Sequence, residues 1–164
     1  MTTRPLIIPI FIPQEGCQYR CVYCDQPTIS GASHSIWSSD ALRQHVESFL
    51  NRNYRFLEQV AFYVGSFTNL PDKRQRFFLE SVRSFLEAGH VHSLRVSTRP
   101  DAILPENLRF LRSMGVTTIE LGVQSMSDKV LAASGRGHSS KKVQEATLLL
   151  RQEGFDIVLQ LMPG

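Results

Sequence analysis

Short β-branched apolar runs alternate with longer amphipathic ones along this chain. Residues 6–12 read as a first strand, and residues 60–63, 94–97, 117–122 and 157–161 as four more. Between them apolar positions recur at helical spacing. Ser39 reads as the cap of a helix over residues 40–51, with Leu42, Val46, Phe49 and Leu50 on one face. Residues 72–88 form a second helix with Phe77, Phe78, Leu79, Val82, Phe85 and Leu86 inside, stopped by Gly89. A third helix covers residues 105–114, with Pro105 at its start and Gly115 at its end. A short helical turn lies near residues 128–133, and a fourth main helix over 140–153 closes at Gly154.

Strands separated by helices in this way imply βαβ units and a parallel sheet. A doubly wound sheet and a (βα) barrel both fit that order. Candidate functional residues follow nearly every strand: a cysteine loop after the first, Gly65 and Ser66 after the second, Arg99 to Asp101 after the third, Gln124 and Ser125 after the fourth. Sites gathered from the carboxyl ends of many strands favour a barrel. The expected fold is therefore α/β, a partial (βα) TIM-type barrel of about five parallel strands and four main helices, with an open edge at the C-terminus. A closed eight-unit barrel takes about 250 residues. Residues 1–164 thus read as one domain cut after its fifth strand, whose uncovered edge is expected to expose apolar surface and to self-associate.

Composition narrows the setting. Hydrophobic residues make up 42% and charged residues 20%, an ordinary globular balance. A chain of this size buries roughly two-thirds of its unfolded surface, enough for a core without disulfides. No apolar run approaches the roughly 20 residues that span a bilayer. The run at residues 6–12 is interrupted by Pro9, followed by Pro13, and lacks a small-residue cleavage site. The expectation is a cytoplasmic protein without a membrane partner, in which clustered cysteines mean metal or catalysis. The formal charge is +3, and basic residues such as Arg74, Arg76, Arg83, Lys141 and Lys142 scatter along helical segments. That pattern reads as solvated helix faces rather than a nucleic-acid stripe.

All three cysteines, Cys17, Cys21 and Cys24, fall within eight residues. Three thiolates can hold three irons of a cubane cluster, whereas a complete protein set is four. The missing fourth points to an exchangeable position, as catalytic metal sites keep one position open. Other readings stand beside this one. A structural zinc site would take His34 as its fourth ligand, although zinc sites more often show separated cysteine pairs. Cys21 and Cys24 can form a redox dithiol, and three plain structural thiols are the blandest reading.

The CxxxCxxC spacing, with Tyr23 before the last cysteine, resembles the signature of the radical S-adenosylmethionine (SAM) superfamily. The wider stretch from Ile12 to Gln26 is similar to the branch that contains the elongator catalytic subunit and oxygen-independent coproporphyrinogen oxidase. Residues 62–70 (FYVGSFTNL), 97–101 (STRPD), 120–125 (ELGVQS), 136–138 (RGH) and 159–164 (LQLMPG) agree with it in the same order. The resemblance implies a [4Fe–4S] cluster on Cys17, Cys21 and Cys24, with SAM on the open iron. It implies reductive cleavage of SAM to a 5′-deoxyadenosyl radical, which abstracts hydrogen from a substrate. It also implies an external electron donor resembling flavodoxin or ferredoxin, and a partner surface in the missing C-terminal half of the barrel.

Residue by residue, Gly65 and Ser66 occupy the strand end that approaches the SAM amino group, where Val64 replaces the family's first glycine. A plain strand-exit turn is the other reading of Gly65. Gln124 and Arg136 match a pair that touches the SAM moiety, the arginine suiting a carboxylate through its fork. Tyr23 and Val22 line the adenine and shield the cluster. Ser97, Arg99 and Asp101 are SAM or substrate contacts or else stabilise their loop, and Glu120 is expected to pair with Arg99. His138 is a loop residue or a proton donor, whereas His45, His90 and His92 belong to the surface or to helix ends. The substrate is a small molecule or tRNA: a tRNA base, as in the elongator branch, or a tetrapyrrole. The RPD and RGH segments lean toward the elongator branch. Alternatives are a non-catalytic iron–sulfur or SAM-binding module, marked by Val64, and a zinc-stabilised interaction domain.

Overall fold

A computed structural model of the chain describes residues 6–12, 15–25, 37–51 and 58–162. His34 lies outside these residues, so the structure carries no geometry for the zinc reading's fourth ligand. Five strands, β1 (Leu6–Ile12), β2 (Glu58–Val64), β3 (Ser93–Thr98), β4 (Val116–Gln124) and β5 (Asp156–Leu161), form one sheet in the order β1-β2-β3-β4-β5. Every pairing is parallel. Sequential order with parallel neighbours is the arrangement of an opened (βα) barrel, as the position of the special residues predicts.

Helices connect the strands: α1 (Ser39–Leu50), α2 (Asp72–Ser81), α3 (Arg83–Glu87), α4 (Pro105–Ser113), α5 (Asp128–Ala133) and α6 (Ser140–Gln152). Ile8, Ile10, Val60, Phe62, Leu94, Val96, Ile119 and Leu121 point from the sheet into one core with Leu42, Val46, Phe78, Leu79, Leu108, Leu111, Val143 and Leu150 from the helices. Side chains two apart on a strand share a face, so the intervening positions line the opposite, inner face. There Gln59 donates to the Ser93 and Thr118 hydroxyls at 2.9 and 3.0 Å and closes the amino-terminal end of the sheet.

Several expectations need correction. The cap of α1 is Ser38, one residue before the predicted Ser39; its side chain accepts from the Ala41 amide. The helix predicted over residues 72–88 is two helices, because Val82 leaves helical geometry at φ −110°, ψ 0°. The apolar face runs on through the break, with Phe78, Leu79, Val82 and Phe85 all buried, and periodicity alone therefore reads it as one piece. His45 is not a surface residue: its ring packs between Trp37 and Phe49 and its Nε2 lies 2.8 Å from the Pro9 carbonyl. His90 and His92 are exposed. Apolar side chains on and after β5 stand open, Leu159 at 47%, Leu161 at 53% and Met162 at 53% exposure.

Candidate functional site

The carboxyl ends of the strands surround a cavity of about 340 Å³. Tyr23 and Cys24 enter it from the cysteine loop, Val64 and Gly65 from the end of β2, Ser97 and Thr98 from β3, Gly122 and Gln124 from β4, Arg136 from the loop after α5, and Gln160 and Met162 from β5. Residues scattered over nearly the whole sequence thus meet because each follows, or ends, a strand of one parallel sheet.

The cysteine loop is tied down at both ends. Gly16 has φ +73° and lies so close to the Ser66 carbonyl that a Cβ there would collide with backbone; glycine is needed for both reasons. The Ser66 amide donates to the Glu15 carbonyl, and Glu15 forms a two-point ion pair with Arg74. Further along, the Val22 amide donates to the Ser134 carbonyl. Tyr19 lies under the Arg99 guanidinium, 4.2 Å from ring centroid to Cζ, and its ring fills the space a side chain would need at Gly137.

Arg99 is fully buried. It donates to the Asp101 carboxylate at 2.9 and 3.1 Å and to the Arg136 carbonyl at 2.6 Å. The expected Arg99–Glu120 pair does not form, because Asp101 occupies that guanidinium; Glu120 faces Arg95 instead, at 3.7 Å. Arg99 and Asp101 hold loops together and stand outside the cavity lining. Ser66 is also turned inward: its hydroxyl is 3.0 Å from the Thr98 hydroxyl and accepts from the Arg99 amide, while Gly65 beside it faces the cavity. Ser97 donates to the Val64 and Phe62 carbonyls and accepts from the Val64 amide, fastening β2 to β3 at the rim.

Arg136 is buried rather than solvated. It donates to the Gly122 carbonyl and to His138 Nε2, and one of its terminal nitrogens is 3.7 Å from the Cys21 sulfur. Burial and the Arg136 charge together hold His138 below the ordinary imidazole range, which keeps its ring neutral and able to accept. Tyr23 is pushed up to about 12, chiefly by burial, against which Arg136 pulls, while the neighbouring Cys21 thiol adds to the rise; apart from that thiol its buried hydroxyl has no hydrogen-bond partner. Gln124 sits at φ +69°, a left-handed conformation unusual for a side chain of this length. The β4–β5 register shifts at this point, between Gly122 and Gln124. Gln124 donates to Gln160 at 3.3 Å, while its buried Oε1 accepts nothing. Gln124 thus combines backbone strain with an unmet polar atom on the cavity wall, a combination that points to a ligand. Val22 stands 80% exposed, away from this enclosure.

The donor set suits an iron–sulfur cluster by its chemistry: three thiols on one loop, joined by no disulfide, the last of them on the cavity wall. Their side chains do not converge. Cys17 lies 3.4 Å from the Tyr19 carbonyl and Cys21 is buried, 3.8 Å from the Gly135 carbonyl. Among the described residues no three His, Cys, Asp or Glu side chains are gathered as a metal site.

The chain matches the family model of the radical SAM superfamily over residues 11–164. The chain belongs to the radical SAM superfamily. Human elongator complex protein 3 is 27% identical over 87% of the chain and 33% of its own length. The tRNA uridine(34) acetyltransferase of Methanocaldococcus infernus is 30% identical over 67% of the chain and 21% of its own length. The structure of coproporphyrinogen III oxidase from Escherichia coli superposes with a TM-score of 0.63 at 20% identity, covering 99% of this chain and 38% of that one. The chain is thus similar in sequence to elongator complex protein 3 and in fold to coproporphyrinogen III oxidase, and spans about a third of the length of the curated relatives it matches. Radical SAM proteins bind a [4Fe–4S] cluster and SAM.

The segments quoted from the sequence contain further residues of the site to which the sequence reading gave no role. Thr98, whose hydroxyl lies 2.6 Å from Thr68, closes a buried hydroxyl network under the rim. Gly122 admits Arg136, since a Cβ there would meet the guanidinium at 2.6 Å; a glycine inside a strand was the available signal. Gln160 and Met162 lie in the LQLMPG segment, which the sequence reading quoted without assigning either a role.

Proposed function

We propose that this chain forms the cofactor-binding part of a radical SAM enzyme. Cys17, Cys21 and Cys24 would hold the cluster, and Tyr23, Gly65, Gln124 and Arg136 would border SAM. SAM on a low-potential cluster supplies a 5′-deoxyadenosyl radical for hydrogen abstraction. The observation that carries the reading is the meeting of Cys24, Gly65, Gln124 and Arg136 around one cavity at the strand ends. Arg136 suits a carboxylate because its guanidinium is fixed in advance by the Gly122 carbonyl and His138. The unmet Gln124 Oε1 is positioned to take a hydrogen bond.

The substrate is proposed to be a tRNA base, in line with the named activity of the archaeal relative, with an external electron donor and the rest of a longer protein as partners. A second reading, a SAM-binding module without turnover, draws on Val64, whose side chain stands at the cavity in place of the family's glycine. Anaerobic reconstitution tests both. A brown protein with about four irons that releases 5′-deoxyadenosine under dithionite supports the enzyme. Cluster without cleavage supports the module, and zinc without iron refutes both.

A further inference from the structure

The three thiols differ in their surroundings. Cys17 lies near the Tyr19 carbonyl and Cys24 is exposed, whereas Cys21 is buried. A cation stands beside the Cys21 sulfur, with Arg136 Nη1 at 3.7 Å. That guanidinium is held from several sides. Its Nε donates to His138 Nε2 at 3.1 Å, and its other terminal nitrogen donates to the Gly122 carbonyl. The backbone of Arg136 is fastened as well: its amide donates to the Leu131 carbonyl, and its own carbonyl accepts from Arg99 at 2.6 Å. The buried Tyr23 hydroxyl reaches the same thiol. A fixed positive charge and a phenol thus converge on one of the three cluster ligands.

As a thiol, Cys21 is 3.8 Å from the Gly135 carbonyl and can donate to it. Once iron replaces its proton, the sulfur can only accept, and the Arg136 N–H and Tyr23 O–H are the groups that face it. Reduction adds one electron to the cluster and its thiolates, so any partner that favours negative charge there favours the reduced form. Net charge and hydrogen bonds to the sulfurs are among the features that set cluster potentials. A cation in a buried site also acts more strongly than it would in water. We propose that Arg136, with Tyr23 beside it, tunes the reduction potential of the cluster through Cys21, holding it above the value the thiolates alone would give. The electron comes from the external donor, and no covalent bond forms or breaks in the step. A guanidinium carries five N–H groups, so donation to the sulfur does not exclude a carboxylate partner. The inference rests on the radical SAM reading above and adds control of the cluster to a residue assigned so far to SAM.

The test is a redox titration of the anaerobically reconstituted chain without SAM, followed by the paramagnetic resonance of the reduced cluster. Wild type is compared with Arg136→Gln, Arg136→Lys, Tyr23→Phe and Gln124→Ala, the last on the same cavity wall. Arg136→Gln is expected to make reduction about tenfold less favourable, a midpoint about 59 mV more negative for a one-electron couple. Arg136→Lys should recover part of that shift, Tyr23→Phe should show a smaller shift of the same sign, and Gln124→Ala should show none. A wild-type midpoint in Arg136→Gln, or a shift to less negative values, overturns the inference and leaves the radical SAM reading standing. An equal shift in Gln124→Ala also overturns it, because loosened packing would then suffice. If Arg136→Gln takes up no iron, Tyr23→Phe, which removes a single hydroxyl, decides: a wild-type midpoint there overturns the inference. A wild-type chain that takes up no cluster refutes the radical SAM reading and the inference with it.

Discussion

The two ends of the inner face differ in how they treat polar atoms. At the amino-terminal end, Gln59, Ser93 and Thr118 are buried and hydrogen-bond one another. At the carboxyl end, Gln124 Oε1 is buried and unmet, Gln124 is held at positive φ, and Arg136 places a charge beside Cys21. Leaving a buried polar atom unpaired costs about 1–3 kcal/mol. A fold accepts that cost where a ligand will later meet the group. One end therefore reads as stability and the other as chemistry, the division general to such barrels. Glu58 is the exception at the amino-terminal rim, a buried carboxyl with one oxygen unmet.

The largest effect that would sharpen this contrast is loss of the cluster. Cys21→Ser is expected to remove essentially all bound iron after anaerobic reconstitution, measured by iron content and absorbance, with the melting temperature of the iron-free chain little changed. Arg136→Ala comes next. It leaves the Gly122 carbonyl and His138 without their donor and removes a charge-assisted partner from the cavity. SAM affinity is expected to fall about 10- to 100-fold, consistent with roughly 1.5–3 kcal/mol for such a bond, by equilibrium binding. The mirror experiment is Gln59→Leu at the other end. It should lower unfolding free energy by about 1–3 kcal/mol in urea, by orphaning two hydroxyls, with SAM affinity unchanged. Equal loss of SAM affinity in Gln59→Leu and Arg136→Ala would break the comparison.

Two smaller effects bear on strain and charge. Gln124→Gly removes the positive-φ penalty, of order 1–3 kcal/mol, but adds the backbone entropy of glycine, about 0.5–1 kcal/mol. A small net stabilisation with weaker SAM binding is expected. Glu58 has its pKa raised by burial. A carboxyl raised on folding contributes stability that is full below its unfolded pKa and lost as pH climbs through the folded value. Glu58→Gln should therefore melt higher than the parent at pH 7, and the difference should close below about pH 4.

Much of the fold was legible. Short β-branched apolar runs mark all five strands and period-3.6 patterns mark the main helices, because strands of a parallel sheet and one face of each helix must be buried. The break at Val82 was not, since burial continues unbroken across it. The three cysteines, Gly65, Gln124 and Arg136 were legible as motif positions. Arg99 and Ser66 were legible as motif residues too, but their side chains turn out to bind loops together, and the partner of Glu120 is Arg95. Sequence distance carries no information on which of two arginines reaches a carboxylate.

What the chain's sequence determined by itself is therefore the list of strands and helices, their parallel order and the membership of the family, all of which follow from local patterning and local motifs. Tertiary structure alone decided which of the polar residues meet. Arg136 comes to the Gly122 carbonyl and Cys21 across fourteen and more than a hundred residues, and Gln160 reaches Gln124 from the next strand. Those meetings depend on strand register and on loops closing over one sheet end, where a shift of a single residue would turn each side chain to the opposite face.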